Sequence, residues 1–149
     1  MFKNLELQKM KDRNIWLEKM KDKESIWIED CPFCKNEEET LIKKFKYWKL
    51  IKNLYPYNWI NKHLLLIPYR HIEHTKFLNN KELSELPEIY EFIEKFFKWM
   101  NYFSFIRETN WWKSVKHIHY HFLPGILFSN SVEWILKQQH ELLKENQKI

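Results

Sequence analysis

The segment His117-Ile118-His119-Tyr120-His121-Phe122-Leu123 constrains this chain more than any other, because histidines alternate with apolar residues at a period of two. Successive side chains of a strand point to opposite faces, which predicts His117, His119 and His121 on one face and Ile118, Tyr120 and Phe122 in a core on the other. At about 3.3 Å per residue, His117 and His121 would stand roughly 13 Å apart, too far to converge on one metal ion without strong distortion. The three imidazoles are therefore expected to do different jobs. A single histidine on a strand reads most simply as a satisfied polar residue. Three in register disfavour one another's charged forms and keep neutral nitrogens available near pH 7 for nucleophilic or acid-base work. A His-x-His metal pair of the metallohydrolase kind competes for the same residues, but it calls for carboxylate ligands, and Glu108 is the only one close in sequence.

The rest of the chain supplies a body for such a strand. With 149 residues, 44% of them hydrophobic and 17% aromatic, it suits one domain that can bury a core without disulfide staples. Apolar residues fall in short strand-like runs at Phe45 to Leu54, His63 to Pro68, Tyr102 to Arg107 and Val115 to Leu123. Leu83, Leu86, Ile89, Ile93, Phe96, Phe97 and Met100 recur at helical spacing after Asn80, with Pro87 expected to kink that helix or to start its main part. Asn130 with Glu133 three residues on has the form of a capping box before a C-terminal helix, whose face carries Val132, Ile135, Leu136, Leu142 and Leu143. Strands and helices do not alternate as βαβ units. The expected class is α+β, an antiparallel sheet of about five strands with a central helix and terminal helices. Residues 1–30 form a separate, highly charged helical extension in this reading, and residues 31–149 form the domain.

Alanine is absent and Gly125 is the only glycine, so loops that need positive φ are expected to use Asn or to tolerate strain. The formal charge of +5, with many lysines in the first 23 residues, suits anionic partners such as nucleotides or nucleic acid. No apolar run approaches the roughly 18 residues of a membrane span, and the charged start lacks the apolar core of a signal peptide; a cytoplasmic protein is the expectation.

The two cysteines sit together in Cys31-Pro32-Phe33-Cys34. Without an export signal such a pair points to metal or redox chemistry rather than a structural disulfide. The pair does not open a helix after a strand in a βαβ unit, which favours metal over redox use, and a CxxC knuckle with two histidines makes a closed tetrahedral zinc site.

His117 through Leu123 also resembles, without a gap, the His-x-His-x-His-x-x signature (x apolar) of histidine triad (HIT) proteins. Ser114 falls where that family places a phosphate-contacting Ser or Thr. His63-Leu64-Leu65-Leu66-Ile67-Pro68-Tyr69-Arg70-His71 is similar to its strand ending in a Pro-Lys-Arg-His-like turn. Asn53-Leu54-Tyr55-Pro56 resembles the segment that holds the ribose, and Cys31 to Cys34 the knuckle of zinc-carrying bacterial members, among them proteins similar to diadenosine tetraphosphate phosphorylases. The likeness spans about residues 31 to 124. It implies structural zinc on Cys31, Cys34, His71 and His117, His119 as the nucleophile toward the α-phosphate of a nucleotide, and support from His63 and His121. Asn53, Leu54, Ser114, Arg107 and Lys113 are the implied substrate-binding residues, and a homodimer is the implied assembly. The implied reaction runs through a covalent nucleotidyl-histidine to hydrolysis or nucleotidyl transfer. Its substrate would be a dinucleoside polyphosphate or a nucleoside phosphoramidate.

Three departures from the family pattern stand out. Lys62 replaces a glycine before His63, two residues are inserted between Pro56 and His63, and Arg107 to Lys113 replaces a Gly-rich phosphate loop. Arg107 and Lys113 are expected to substitute charge for the lost backbone amides. The alternative function is a nucleotide or nucleic-acid binding protein of the same fold without turnover, for which the basic N-terminal segment and Trp111-Trp112 speak.

Overall fold

The computed structural model describes residues 31–35, 38–57, 60–108 and 113–146, and the helical extension expected over residues 1–30 lies outside them. Five strands, β1 (Leu41–Lys44), β2 (Trp48–Lys52), β3 (Leu64–Pro68), β4 (Tyr102–Ile106) and β5 (Tyr120–Pro124), accompany two helices, α1 (Asn80–Phe96) and α2 (Ser129–Asn146). The strands form one sheet in the order β1-β2-β3-β5-β4. Every neighbouring pair in it is antiparallel. The class is α+β, as the sequence predicts.

Period-two patterning sorts the sheet's two faces. Trp48 and Leu50 of β2, Leu64 and Leu66 of β3 and Phe122 of β5 pack with Ile89 and Ile93 of α1 and with Phe97 just past its end into the main core. Ile51, Leu65 and Ile67 form a second cluster on the other face, covered by Phe33 and Leu41. Strand β3 is buried on both faces, so Leu64 to Ile67 is continuously apolar rather than alternating. Trp48 reaches full burial because its indole N–H donates to the Glu82 carbonyl at 2.9 Å.

Helix α1 starts on a capping box: the Asn79 side chain accepts from the Glu82 main chain and the Glu82 carboxylate accepts from the Asn79 N–H. Arg70, just beyond β3, pairs with the same carboxylate at 2.7 Å and donates to the Phe77 carbonyl, tying the end of the strand to the start of the helix. Pro87 lies inside α1, which runs through it rather than starting there. The helix ends at Phe96, short of the expected Met100, and Lys98 and Trp99 take left-handed φ values of 53° and 62°.

Three sequence boundaries are corrected. The run from Phe45 to Leu54 is not one strand: Phe45 N–H donates to the Trp48 carbonyl at 2.8 Å, and the Lys46 and Tyr47 amides dock on the Glu85 carboxylate, so residues 45–47 are a turn between β1 and β2. The strand expected over Val115 to Leu123 begins only at Tyr120, whose partner Ile106 is the last residue of β4. Before it, Ile118 N–H goes to the Ile72 carbonyl at 2.7 Å, outside the sheet. The C-terminal helix begins at Ser129, so Asn130 lies within it and is not its cap. Its Val132, Ile135 and Leu136 are exposed. Among the described residues no helix is long and apolar enough to cross a membrane.

Candidate active site and metal centre

The face of the sheet opposite α1 carries the histidines, and although His117 and His119 precede β5, the alternation survives. His117, His119 and His121 are all buried, while Ile118 and Phe122 are buried too. Only Phe122 of these enters the main cluster under α1.

Cys31, Cys34, His71 and His117 form one group whose ligand atoms all lie within 4.8 Å of one another. The Cys31 and Cys34 sulfurs stand 3.6 and 3.5 Å from His117 Nδ1, and Cys34 Sγ stands 3.2 Å from His71 Nδ1. A tetrahedral zinc with ordinary Zn–S and Zn–N bonds would have S···N edges of roughly 3.5 Å. His117 Nε2 faces the Pro68 carbonyl at 3.0 Å. That oxygen can only accept, so the proton sits on Nε2 and the Nδ1 lone pair is aimed at the sulfurs, the outer hydrogen bond expected of a ligating histidine. Burial, with the charge of His71 adding to it, holds His117 down at about 3, so it is a neutral donor. Burial foremost and then Cys31 push the Cys34 thiol up to about 11. A dication would reverse that preference, since metal binding takes the thiolate form. The donor set and its spacing fit a metal ion such as zinc.

Next along the chain, His119 Nδ1 lies 2.8 Å from the His117 carbonyl oxygen, which fixes its proton on Nδ1 and leaves the Nε2 lone pair unprotonated. Burial, reinforced by the charges of Arg107 and Lys113, lowers its pKa to about 4. His63 determines the state of His121. The Tyr57 N–H and the Asn53 side-chain amide, at 3.3 and 3.2 Å, both donate to His63 Nδ1. His63 therefore carries its proton on Nε2 and donates it to His121 Nδ1 at 2.9 Å. His121 in turn bears its proton on Nε2, which has no hydrogen-bond partner among the described residues. Burial, then the charges of His119, His63 and Arg107, hold His121 down to about 2. A lone pair on His119 thus stands beside a donor on His121, their ring centres 4.8 Å apart.

Both rings line a cavity of about 280 Å³. Of the residues read from the sequence, Asn53, Leu54, Arg107, Ser114, His119 and His121 line it. His63 lies behind His121 instead of on the wall. The amide of Asn53 is engaged on both sides, accepting from Tyr55 N–H at 3.0 Å and donating to His63. Lys113 Nζ donates to the Glu73 carbonyl at 2.6 Å and is not on the wall.

The sequence reading missed Phe33, Ile51, Lys52, Leu65, Tyr57 and Val115. Phe33 meets the His119 ring edge-on at 5.0 Å, Phe105 stacks on His121 at 4.5 Å, and Tyr57 stacks on it at 5.6 Å. Strand parity would have found Ile51, Leu65 and Phe105, since it puts them on the face of His121. Tyr57 gave no such signal.

The sequence profile described as "Scavenger mRNA decapping enzyme C-term binding", a HIT-like family, matches residues 14–131. The chain belongs to the histidine triad family. Structural neighbours of this HIT protein agree. A HIT family hydrolase from Legionella pneumophila is 25% identical with a TM-score of 0.51, over 66% of this chain and 96% of that one. A HIT family hydrolase from Clostridium thermocellum is also 25% identical, with a TM-score of 0.53 over 67% and 94%. A Plasmodium falciparum diadenosine triphosphate hydrolase, at 18% identity, shares the fold with a TM-score of 0.55 over 75% and 80%. No curated protein sequence matches significantly. As a HIT protein the chain has its triad intact in sequence, while Arg107 to Lys113 contains no glycine.

Proposed function

We propose that this HIT protein is a nucleotide hydrolase that works at the α-phosphate of a nucleotidyl substrate through His119. One observation carries the reading: the unprotonated Nε2 implied for His119 and the unpartnered Nε2–H of His121 belong to neighbouring rings on one cavity wall. In the first step His119 Nε2 forms a P–N bond as the bond from phosphorus to the leaving group breaks, P–O in a polyphosphate or P–N in a phosphoramidate, and the leaving atom departs with the electron pair and takes up a proton where it needs one. In the second, water forms a new P–O bond, the P–N electrons return to Nε2, and a proton passes to solvent; phosphate or another acceptor in place of water makes the reaction a transfer. Such a displacement needs positioning and charge stabilisation above all. The His121 donor and the Arg107 guanidinium are suited to the phosphoryl oxygens, and Ser114 stands on the same wall. The cavity lies near the lower end of small-molecule pockets, about 300–1,000 Å³, which favours one nucleotide moiety with the leaving group outside.

Zinc on Cys31, Cys34, His71 and His117 would be structural, because four protein ligands leave no open position. Its binding would hold the knuckle, and with it Phe33, against the His119 ring. We also infer a homodimer, supported by the exposed run Ile126, Leu127 and Phe128 and the nearby exposed Trp134. Light scattering at micromolar concentration should give twice the chain mass, and a monomer would remove that inference.

The test of function is incubation with dinucleoside polyphosphates, nucleoside phosphoramidates and nucleotide sugars, with and without phosphate. Release of a nucleoside monophosphate or diphosphate supports the hydrolase or transferase. Tight binding without turnover of any compound in the panel would favour the binding-protein reading.

A further inference from the structure

Arg107 directly follows β4, and the alternation of that strand continues through it: Phe105 stacks on His121, and Arg107 lines the cavity. Glu108 therefore turns to the other side. There its carboxylate accepts from the Thr75 main-chain N–H at 3.0 Å and from the Thr75 hydroxyl, and it pairs with His74 Nδ1 at 3.0 Å. Lys113 reaches the same stretch through the Glu73 carbonyl at 2.6 Å, and Ile118 N–H reaches the Ile72 carbonyl at 2.7 Å. Residues 72–75 thus hold three points of the segment that carries Arg107, Ser114 and the histidines. None of these contacts requires a glycine.

This arrangement answers a physical problem. A loop without glycine brings its main chain less readily against a phosphate, which places more of the anion's recognition on side chains. Arginine is long and rotamer-rich, and holding it costs entropy unless its main chain is fixed. A carboxylate at the next position could also fold back and neutralise it. Docked on His74 and Thr75, the Glu108 carboxylate has three donors of its own.

We propose that Glu108 is a positioning residue: by docking on His74 and Thr75 it fixes the main chain at Arg107 and keeps that guanidinium directed at the phosphate side of the cavity. The inference rests on the nucleotide reading above. It differs from a surface-stability role, in which an exposed pair of this kind would contribute little to folding and nothing to ligand affinity.

Calorimetric titration of the full chain with AMP and with adenosine separates these roles. Glu108→Ala and Arg107→Ala should each weaken AMP binding about tenfold while leaving adenosine binding unchanged, the loss expected for a charge-assisted hydrogen bond. The double variant should bind AMP no more weakly than Arg107→Ala alone, because both changes remove one interaction. Glu108→Gln retains an acceptor for Thr75 and should recover most of the affinity, which guards against a folding defect in Glu108→Ala. Unchanged AMP binding in Glu108→Ala, a parallel loss of adenosine binding, or additive losses in the double variant would overturn the proposal. If the wild-type chain binds neither compound, the nucleotide reading fails and the role of Glu108 falls with it, an outcome visible before any substitution is made.

Discussion

His119 donates its Nδ1 proton to the carbonyl oxygen of His117 at 2.8 Å, two residues back in the chain. The same residue that offers its side chain to the metal group therefore orients the proposed nucleophile through its main chain. The two histidines can be separated by mutation because one bond runs through side-chain atoms and the other does not.

His119→Asn should abolish turnover and leave zinc content and melting temperature nearly unchanged, since it removes a nucleophile and no metal ligand. Mass spectrometry under conditions that preserve acid-sensitive adducts should find a nucleotide mass on the wild-type peptide carrying His119 and none on the variant. A variant that retained a substantial part of wild-type turnover would refute the nucleophile assignment.

One zinc per chain should be found by elemental analysis of freshly purified protein. His117→Ala should lower zinc content and melting temperature together, with lost activity following, because the metal's binding energy is folding energy. Full thermal stability without metal and with both thiols reactive would show that the knuckle closes by other means.

His63→Phe removes the proton that fixes His121, leaving His121 Nδ1 without its donor and its tautomer unassigned. Turnover should fall roughly tenfold to a hundredfold, less than the about 10²–10³ for removing an oxyanion donor outright. Binding of AMP should change little by comparison. Wild-type turnover in His63→Phe would mean that His121 is oriented without it.

Glu82 couples fold stability to pH. Its hydrogen bonds to Arg70, foremost, hold its pKa below the usual carboxylate range, and the Asn79 main chain adds to that. A folded value below the unfolded one, about 4.3, means that the contribution is complete above that pH and is lost as pH falls through the folded value. Glu82→Gln should cost about 1–3 kcal/mol at pH 7, and its melting temperature should converge on that of the wild type as pH drops below about 4. A gap that stayed constant down to pH 3 would assign the stabilisation to packing instead of charge.

The part of the fold that could be read from the sequence is the part with strong periodicity. Ile89, Ile93 and Phe97 announced the buried side of the helical segment, and Leu64 to Ile67 announced a strand, whose burial on both faces the structure adds. Strand β1 escaped because Leu41–Lys44 is a largely exposed edge rich in lysine, the composition that protects an edge and erases its apolar signal. Triad parity was correct although the strand was drawn too long. Alternation depends on extended backbone, not on ladder bonds, and Ile118 finds its partner at Ile72 outside the sheet. The ligand group was legible through resemblance, as Cys31 and Cys34 lie far from His71 and His117 in sequence. Tyr57 was not legible at all. Its contacts with His63, His121 and Phe105 depend on how the turn after β2 folds back over the sheet, and no local pattern encodes that.

Lys98 and Trp99, turned into the left-handed region just past α1, show where a chain with a single glycine can place positive φ on ordinary residues. A helix terminus needs only to change direction, and an ordinary residue can do so there at a cost of about 1–2 kcal/mol. Beside the cavity the demand is different in kind, because side chains on the main chain crowd its close approach to a ligand in a way that glycine does not. The positive φ at the helix end is thus a matter of stability and not of shape. Between Arg107 and Lys113 there is no glycine, and of these two cations it is Arg107 that lines the cavity. Trp99→Gly should accordingly firm the fold and leave substrate preference untouched, whereas glycines introduced between Arg107 and Lys113 would bear on what the protein accepts.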